Sequence, residues 1–186
     1  KARADVLAEE HLDRGMALAE DGKWEEAVRH FHEFLWDGNY APDTNEYCAA
    51  MYGMAYALKR AGMYRLAANV LLEMVLGGPE GLFFEPAFEA LQAVRRRVEF
   101  SPLALEQLAN FSVLRFPQPF QDSYNYFLGK FFYEMANYWL ALKYFGQVST
   151  DSPHSYRSLY LTGLIQLWGQ MYRSAVETFQ GVLRTC

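Results

Sequence analysis

Four histidines, two cysteines and a few paired carboxylates are the side chains with which this chain could ligate a metal or transfer a proton. His11, His30, His32 and His154 fit no metal-ligand spacing. His30 and His32 stand two apart, and on a helix they point to different faces. Glu9-Glu10 and Glu25-Glu26 fall near helix N-termini or on polar faces, where the helix dipole and water account for them. Cys48 and Cys186 read as two free thiols rather than a disulfide framework. There is no HExxH, no phosphate-cradling glycine loop and no GxSxG. The sequence therefore predicts no enzyme, no metal site and no cofactor. The densest charge cluster, Arg95-Arg96-Arg97, has two readings. It is a solvated helix end whose cations complement the dipole, or a docking patch for an acidic partner.

With chemistry this sparse, the informative signal is in the elements that carry these residues. Half of the chain is apolar and 17% is aromatic, enough for a large core. No run of 18 apolar residues suggests a membrane span. A net charge of −5 argues against binding along a phosphate backbone, so no nucleic-acid partner is expected. The chain starts at Lys1 rather than Met and stops within a helical pattern, so it reads as a piece of a longer protein. The compartment stays open between cytoplasm and a bacterial cell envelope.

One stretch, EDGKWEEAVRHF from Glu20 to Phe31, recurs three more times: RAGMYRLAANVL, EMANYWLALKYF and WGQMYRSAVETF. Each copy has an aromatic that starts a helix: Trp24, Tyr64, Tyr138 and Tyr172. Three residues on comes alanine: Ala27, Ala67, Ala141 and Ala175. A large apolar residue comes one turn later: Phe31, Leu71, Phe145 and Phe179. Twelve residues before each alanine lies a small residue: Gly15, Ala55, Gly129 and Gly163. Small side chains on both helices let an antiparallel pair approach closely, and the large residue is expected to reach the next hairpin. One hairpin cannot bury both of its faces, so such units must stack.

This pattern resembles the tetratricopeptide repeat (TPR) family. The last two copies are 34 residues apart, the period of that family, and Pro79 and Pro153 stand where it places a helix-ending proline. The first copy has Asn39 there. Phe34, Met74, Val148 and Val182 replace the small residue the family favours late in the second helix, which implies irregular spacing between repeats. The resemblance implies an all-α, right-handed α-solenoid of stacked antiparallel helix pairs. The expected layout is one domain over 1–186, with repeats near 8–41, 48–79, 122–153 and 156–186 and an irregular hairpin at 82–116.

About ten helices are expected, near 3–20, 24–37, 44–61, 64–76, 84–99, 102–116, 122–135, 138–149, 153–169 and 172–184. Asp43 with Glu46 reads as a capping box. Ser101-Pro102 and Ser152-Pro153 read as N-caps ahead of a first-turn proline. The irregular hairpin either continues the array, with Ala104 and Leu108 in the alanine and phenylalanine positions, or acts as a spacer that bends it.

The resemblance also implies where a partner would sit, because ligands of this family usually lie along the first helices. Counting from the small residue gives Tyr52, Tyr126 and Tyr160 three before it, with Leu12 in the first copy. Tyr56 and Lys130 come one after, and Lys59 and Tyr133 four after. Arg157 falls on the same face. Tyrosine and arginine give much contact area with few rotors, and the cations suit acidic side chains or a carboxylate. The competing reading is that these tyrosines only pack against neighbouring repeats. Repeat one has Leu12 and Met16 where the family's carboxylate clamp would need Lys and Asn, so a chaperone-tail receptor is not expected. Two functions remain: a scaffold that holds a protein or peptide in the groove, or a structural subunit that assembles through the edges of the array.

Overall fold

The computed structural model describes the backbone of residues 2–37, 40–99 and 101–185, and the side chains of 9–36, 40–99 and 101–183. Among the described residues it is all-α, with the helix pairs of a TPR-like array. The chain forms two compact units, Lys1–Phe111 and Ser112–Cys186. The first holds α1 (Ala2–Glu20), α2 (Trp24–Asp37), α3 (Asn45–Arg60), α4 (Tyr64–Leu76), α5 (Phe84–Arg95) and α6 (Pro102–Glu106), which a 3-10 turn (Gln107–Asn110) prolongs. The second holds α7 (Gln118–Glu134), α8 (Tyr138–Phe145), α9 (Ser155–Trp168) and α10 (Tyr172–Thr185).

All four repeat aromatics are the first residues of their helices, and all four turns before them share one geometry. The residue two before the aromatic is left-handed: Gly22 (φ 77°), Gly62 (φ 79°), Ala136 (φ 56°) and Gln170 (φ 59°). The next amide donates back across the helix end: Lys23 to Leu18, Met63 to Leu58, Asn137 to Phe132 and Met171 to Gln166, at 2.8–2.9 Å. These bonds close the orphan carbonyls of a helix C-terminus in the Schellman manner. A left-handed residue is needed to make them, and glycine adopts it without a Cβ penalty.

The four repeat alanines are buried at 2% exposure or less. What sits against the small residue of the first helix is, however, the phenylalanine. A Cβ added to Gly15 would lie 2.9 Å from the Phe31 ring, one on Gly129 2.5 Å from Phe145, and one on Gly163 2.6 Å from Phe179. The expected Gly–Ala contact is thus a Gly–Phe contact: the flat ring lies where a Cβ would be. Repeat two has Ala55 with Leu71, both buried, so a larger floor goes with a smaller knob. Phe31 also reaches the next hairpin, because a Cβ on Gly53 of α3 would lie 2.7 Å from its ring.

Several expected boundaries shift. Thr44, not Asp43, caps α3, accepting from the Tyr47 amide at 3.4 Å. Ser101 stands at the N-cap of α6 with Pro102 in the first turn, without a side-chain cap bond. Ser152 takes the amide of His154 at 3.2 Å and ends a turn before α9, which starts two residues later than expected. The helix expected from 122 starts at Gln118, with Pro119 in its first turn, where its missing N–H would be unbonded anyway.

The largest difference is in the irregular hairpin. The helix expected at 102–116 is one short α-helix and a 3-10 turn, ending at Asn110. Leu105 and Leu108 are both buried, while Ala104 is only partly so. Leu105 lies in α6 and Leu108 in the 3-10 turn; residues three apart fall on one side of either helix type, so the pair shares one face across the junction. α5 is regular to Arg95 and packs on α4, with Phe84, Ala87, Phe88, Leu91 and Val94 as its buried stripe. Phe111 closes against Phe84 edge-on at 6.2 Å. Asn39 and Cys186 lie outside the described residues.

Candidate functional site

In the first unit, α3 brings together three of the expected groove residues. Tyr52 is half-buried against Phe83, ring centroids 5.5 Å apart. Burial, with Glu89 and Tyr56 nearby, pushes its phenol up. Tyr56 is 42% exposed, with Trp24 edge-on at 5.9 Å and the Lys59 ammonium 5.4 Å over its ring. Arg60 lies 5.0 Å over the other partner, Trp24. Leu12, the equivalent of Tyr52 in repeat one, is buried and offers no surface.

In the second unit, Tyr126 is half-buried and stacks on His154 at 4.7 Å and 9°. Tyr133 stacks on Trp168 at 5.8 Å and meets Tyr138 at 6.1 Å. Burial, with Tyr138 and Tyr160 beside it, pushes its phenol up. Tyr160 is 44% exposed and Arg157 is exposed. Lys130 is exposed but shared with Glu134 one turn on, at 3.7 Å. The expected tyrosines thus divide: Tyr52 and Tyr126 are chiefly packing residues, whereas Tyr56 and Tyr160 present open ring surface.

The arginine cluster also divides. Arg95 ends α5 half-buried and Arg96 is its exposed C-cap. Arg97 lays its guanidinium 4.8 Å over Tyr64, beside a shallow depression lined by residues 62–66 and 97–99. Trp24 with Arg60, Tyr64 with Arg97 and Tyr138 with Trp168 (5.9 Å) share one pattern. The aromatic that opens a second helix meets the end of the next helix by a cation–π or ring contact.

A buried polar cluster escaped the sequence reading. Asp122 of α7 is buried and accepts from the Ser149 amide (3.0 Å), the Ser149 hydroxyl and Gln118 Nε2 (2.9 Å). Burial alone would push the Asp122 carboxyl up. Hydrogen bonds from Ser149, Gln118 and Ser152 outweigh it and hold the carboxyl below the usual range. The cluster ties the segment after α8 to the start of α7. His154 beside it is pushed down, first by burial and then by Arg157, against the opposing pull of the Asp122 carboxylate. Held below its usual range, the Asp122 carboxylate is a weak base toward the Ser149 hydroxyl, and its hydrogen bonds serve to hold the loop.

The histidines need a further correction. His11 of α1 and His30 of α2 approach to 2.9 Å between their Nδ1 atoms, with Glu33 Oε2 3.1 Å from the first and 3.5 Å from the second. The ring centroids are 5.2 Å apart. Local spacing could not show this cluster, because His11 meets α2 only once the hairpin has closed. His32 instead stacks on Trp36.

No family model and no curated relative matches the chain. Solved structures do. A MamA fragment from Desulfovibrio magneticus RS-1 is 20% identical, covers 96% of this chain and 94% of its own, and superposes with a TM-score of 0.61. YrrB, described as a TPR protein with an unusual peptide-binding site, is 18% identical, with 94% and 84% covered and a TM-score of 0.65. TPR-like repeats of a kinesin light chain from Podospora anserina are 14% identical, with 95% and 93% covered and a TM-score of 0.56. At these identities the likeness is one of fold, and it agrees with the four sequence repeats and their four identical turns. The chain has a TPR-like helical-repeat fold.

Proposed function

We propose that this protein is a non-enzymatic interaction scaffold that holds a segment of a partner protein on the face of its first helices. The observation that carries this reading is the open ring surface of Tyr160 beside the exposed Arg157 and the Tyr133–Trp168 stack. Rigid aromatic area next to a cation suits a peptide with apolar and acidic side chains. Tyr56 with Lys59 repeats the combination in the first unit. A fold shared with a peptide-binding protein lends support. The packing role of Tyr52 and Tyr126 narrows the proposed contact residues to Tyr56 and Lys59 in the first unit, with Arg96 and Arg97 as the exposed members of the basic cluster, and to Lys130, Tyr133, Arg157 and Tyr160 in the second. The test is selection of peptides from a displayed random library, then titration against wild type and against Tyr160→Ala/Arg157→Ala. The expected loss is at least about thirtyfold, the effect of removing one hot spot of about 2 kcal/mol. Unchanged affinity in a variant with wild-type circular dichroism would remove the groove assignment.

A second reading, a structural subunit that associates through an edge, is favoured by α10. Tyr172, Val176 and Leu183 are 56–77% exposed and share one helical stripe with the half-buried Phe179. The equivalent residues of α2 include Val28 and Leu35, which are partly buried in the core of repeat one. Sedimentation across concentration separates the readings: a strict monomer counts against self-association, and a dimer lost in Val176→Asp supports it.

A further inference from the structure

We propose that His11, His30 and Glu33 form a binding site for a divalent transition metal ion of the zinc class, tying α1 to α2. Three potential donor atoms, one from α1 and two from one face of α2, converge at separations of 2.9, 3.1 and 3.5 Å. A tetrahedral ion with bonds of about 2.0–2.1 Å needs donor–donor edges of about 3.3 Å. The observed triangle is therefore within small side-chain adjustments of a coordination face.

The hydrogen-bonding geometry of the cluster points the same way. Two Nδ1 atoms that face each other at 2.9 Å can share only one hydrogen in a bond between them, and the carboxylate oxygen is an acceptor that competes for it. A cation in the middle uses all three lone pairs at once. The side chains are 22–38% exposed, so the site is shielded yet open to an entering ion. Two imidazoles and a carboxylate suit zinc, and also the cobalt, nickel and copper ions that share its ligand preferences. Three protein ligands leave a fourth position for water or for a donor from a bound partner. Because His11 and His30 belong to different helices of one hairpin, the ion would act as a staple on the first repeat and would be linked to folding.

The test is calorimetric titration of zinc chloride into the 186-residue chain. Wild type, His30→Gln, Glu33→Gln and Cys48→Ser/Cys186→Ser are compared at about pH 7.5, since protons compete with a metal for imidazole at lower pH, with folding checked by circular dichroism. The expected result is one equivalent of zinc bound by wild type and by the cysteine-free chain, with a zinc-dependent rise in melting temperature. His30→Gln should weaken binding by at least about a hundredfold, the upper end of what losing even an outer partner of a ligand costs. Glu33→Gln is nearly isosteric and half-exposed, so it keeps the test decisive if His30→Gln does not fold. Substitution by cobalt(II) should give the visible bands of a tetrahedral N/O site without thiolate charge transfer. Absence of zinc binding, binding unchanged in the folded site variant, or binding only while the cysteines are present would each overturn the assignment.

Discussion

The two units solve the same turn with different residues. The first uses Gly22 and Gly62 at the left-handed position, and the second uses Ala136 and Gln170 in the same left-handed region. The hydrogen bonds across the helix end are nonetheless the same in all four. The turn is therefore set by closing the helix carbonyls and packing the next aromatic, and glycine only removes a local cost of roughly 1–2 kcal/mol. The units also differ in how they hold the segment after a second helix. The second unit fixes Ser149, beyond α8, by a buried carboxylate, whereas the first has an α4 that runs to Leu76 and receives α5.

Four experiments probe this contrast. The largest effect should come from the knobs. Phe31 is fully buried between Gly15 and Gly53, while Phe179 of the second unit is half-buried over Gly163. Phe31→Ala should cost about 3–5 kcal/mol in chemical denaturation, and Phe179→Ala clearly less. Equal losses would mean that Gly53 contributes nothing to seating the ring.

Next in size is the exchange of floor and knob. Gly129→Ala should cost about 1–3 kcal/mol by overpacking against Phe145. Adding Phe145→Leu, which recreates the Ala55/Leu71 combination of the first unit, should recover part of it. A double-mutant cycle that shows strict additivity would refute the pairing. Smaller still are the turns. Gly22→Ala should destabilise by about 1 kcal/mol and Ala136→Gly should stabilise by up to about 1 kcal/mol. The same sign for both, read from melting temperatures, would contradict the shared geometry.

The smallest effect is one of pH and belongs to the second unit. The folded His154 has its pKa below the ordinary 6.5, so the unfolded chain binds the proton more readily. Its contribution to stability should be complete above pH 6.5 and decline as the pH falls from there through the folded value. His154→Gln should flatten that part of the stability–pH curve. A curve that keeps its slope there would assign the decline to other groups.

The repeat frame was legible because it rests on local rules. An aromatic, an alanine and a phenylalanine at fixed spacing announce the start of a helix and its buried face. The irregular hairpin was less legible, because a five-residue helix that passes into a 3-10 turn has the same apolar residues as a long one. The tyrosines of the groove illustrate a different limit. Sequence spacing placed Tyr52, Tyr56, Tyr126 and Tyr160 on the first helices, but only the neighbours Phe83 and His154 decide which rings are covered. Asp122 and the His11–His30–Glu33 cluster were invisible for one reason: each brings together residues 19 or more apart.

Phe31 has one ring and two seats, Gly15 on one hairpin and Gly53 on the next. A seam of that kind makes the two hairpins a single cooperative block. Loosening α1 removes one wall of the ring's slot, and loosening α3 removes the other. An array whose repeats met only through side chains of their own could fray from its end one hairpin at a time. Here the amides of α1, α2 and α3 should exchange with solvent in one concerted opening, and the first repeat gains the persistence of the second.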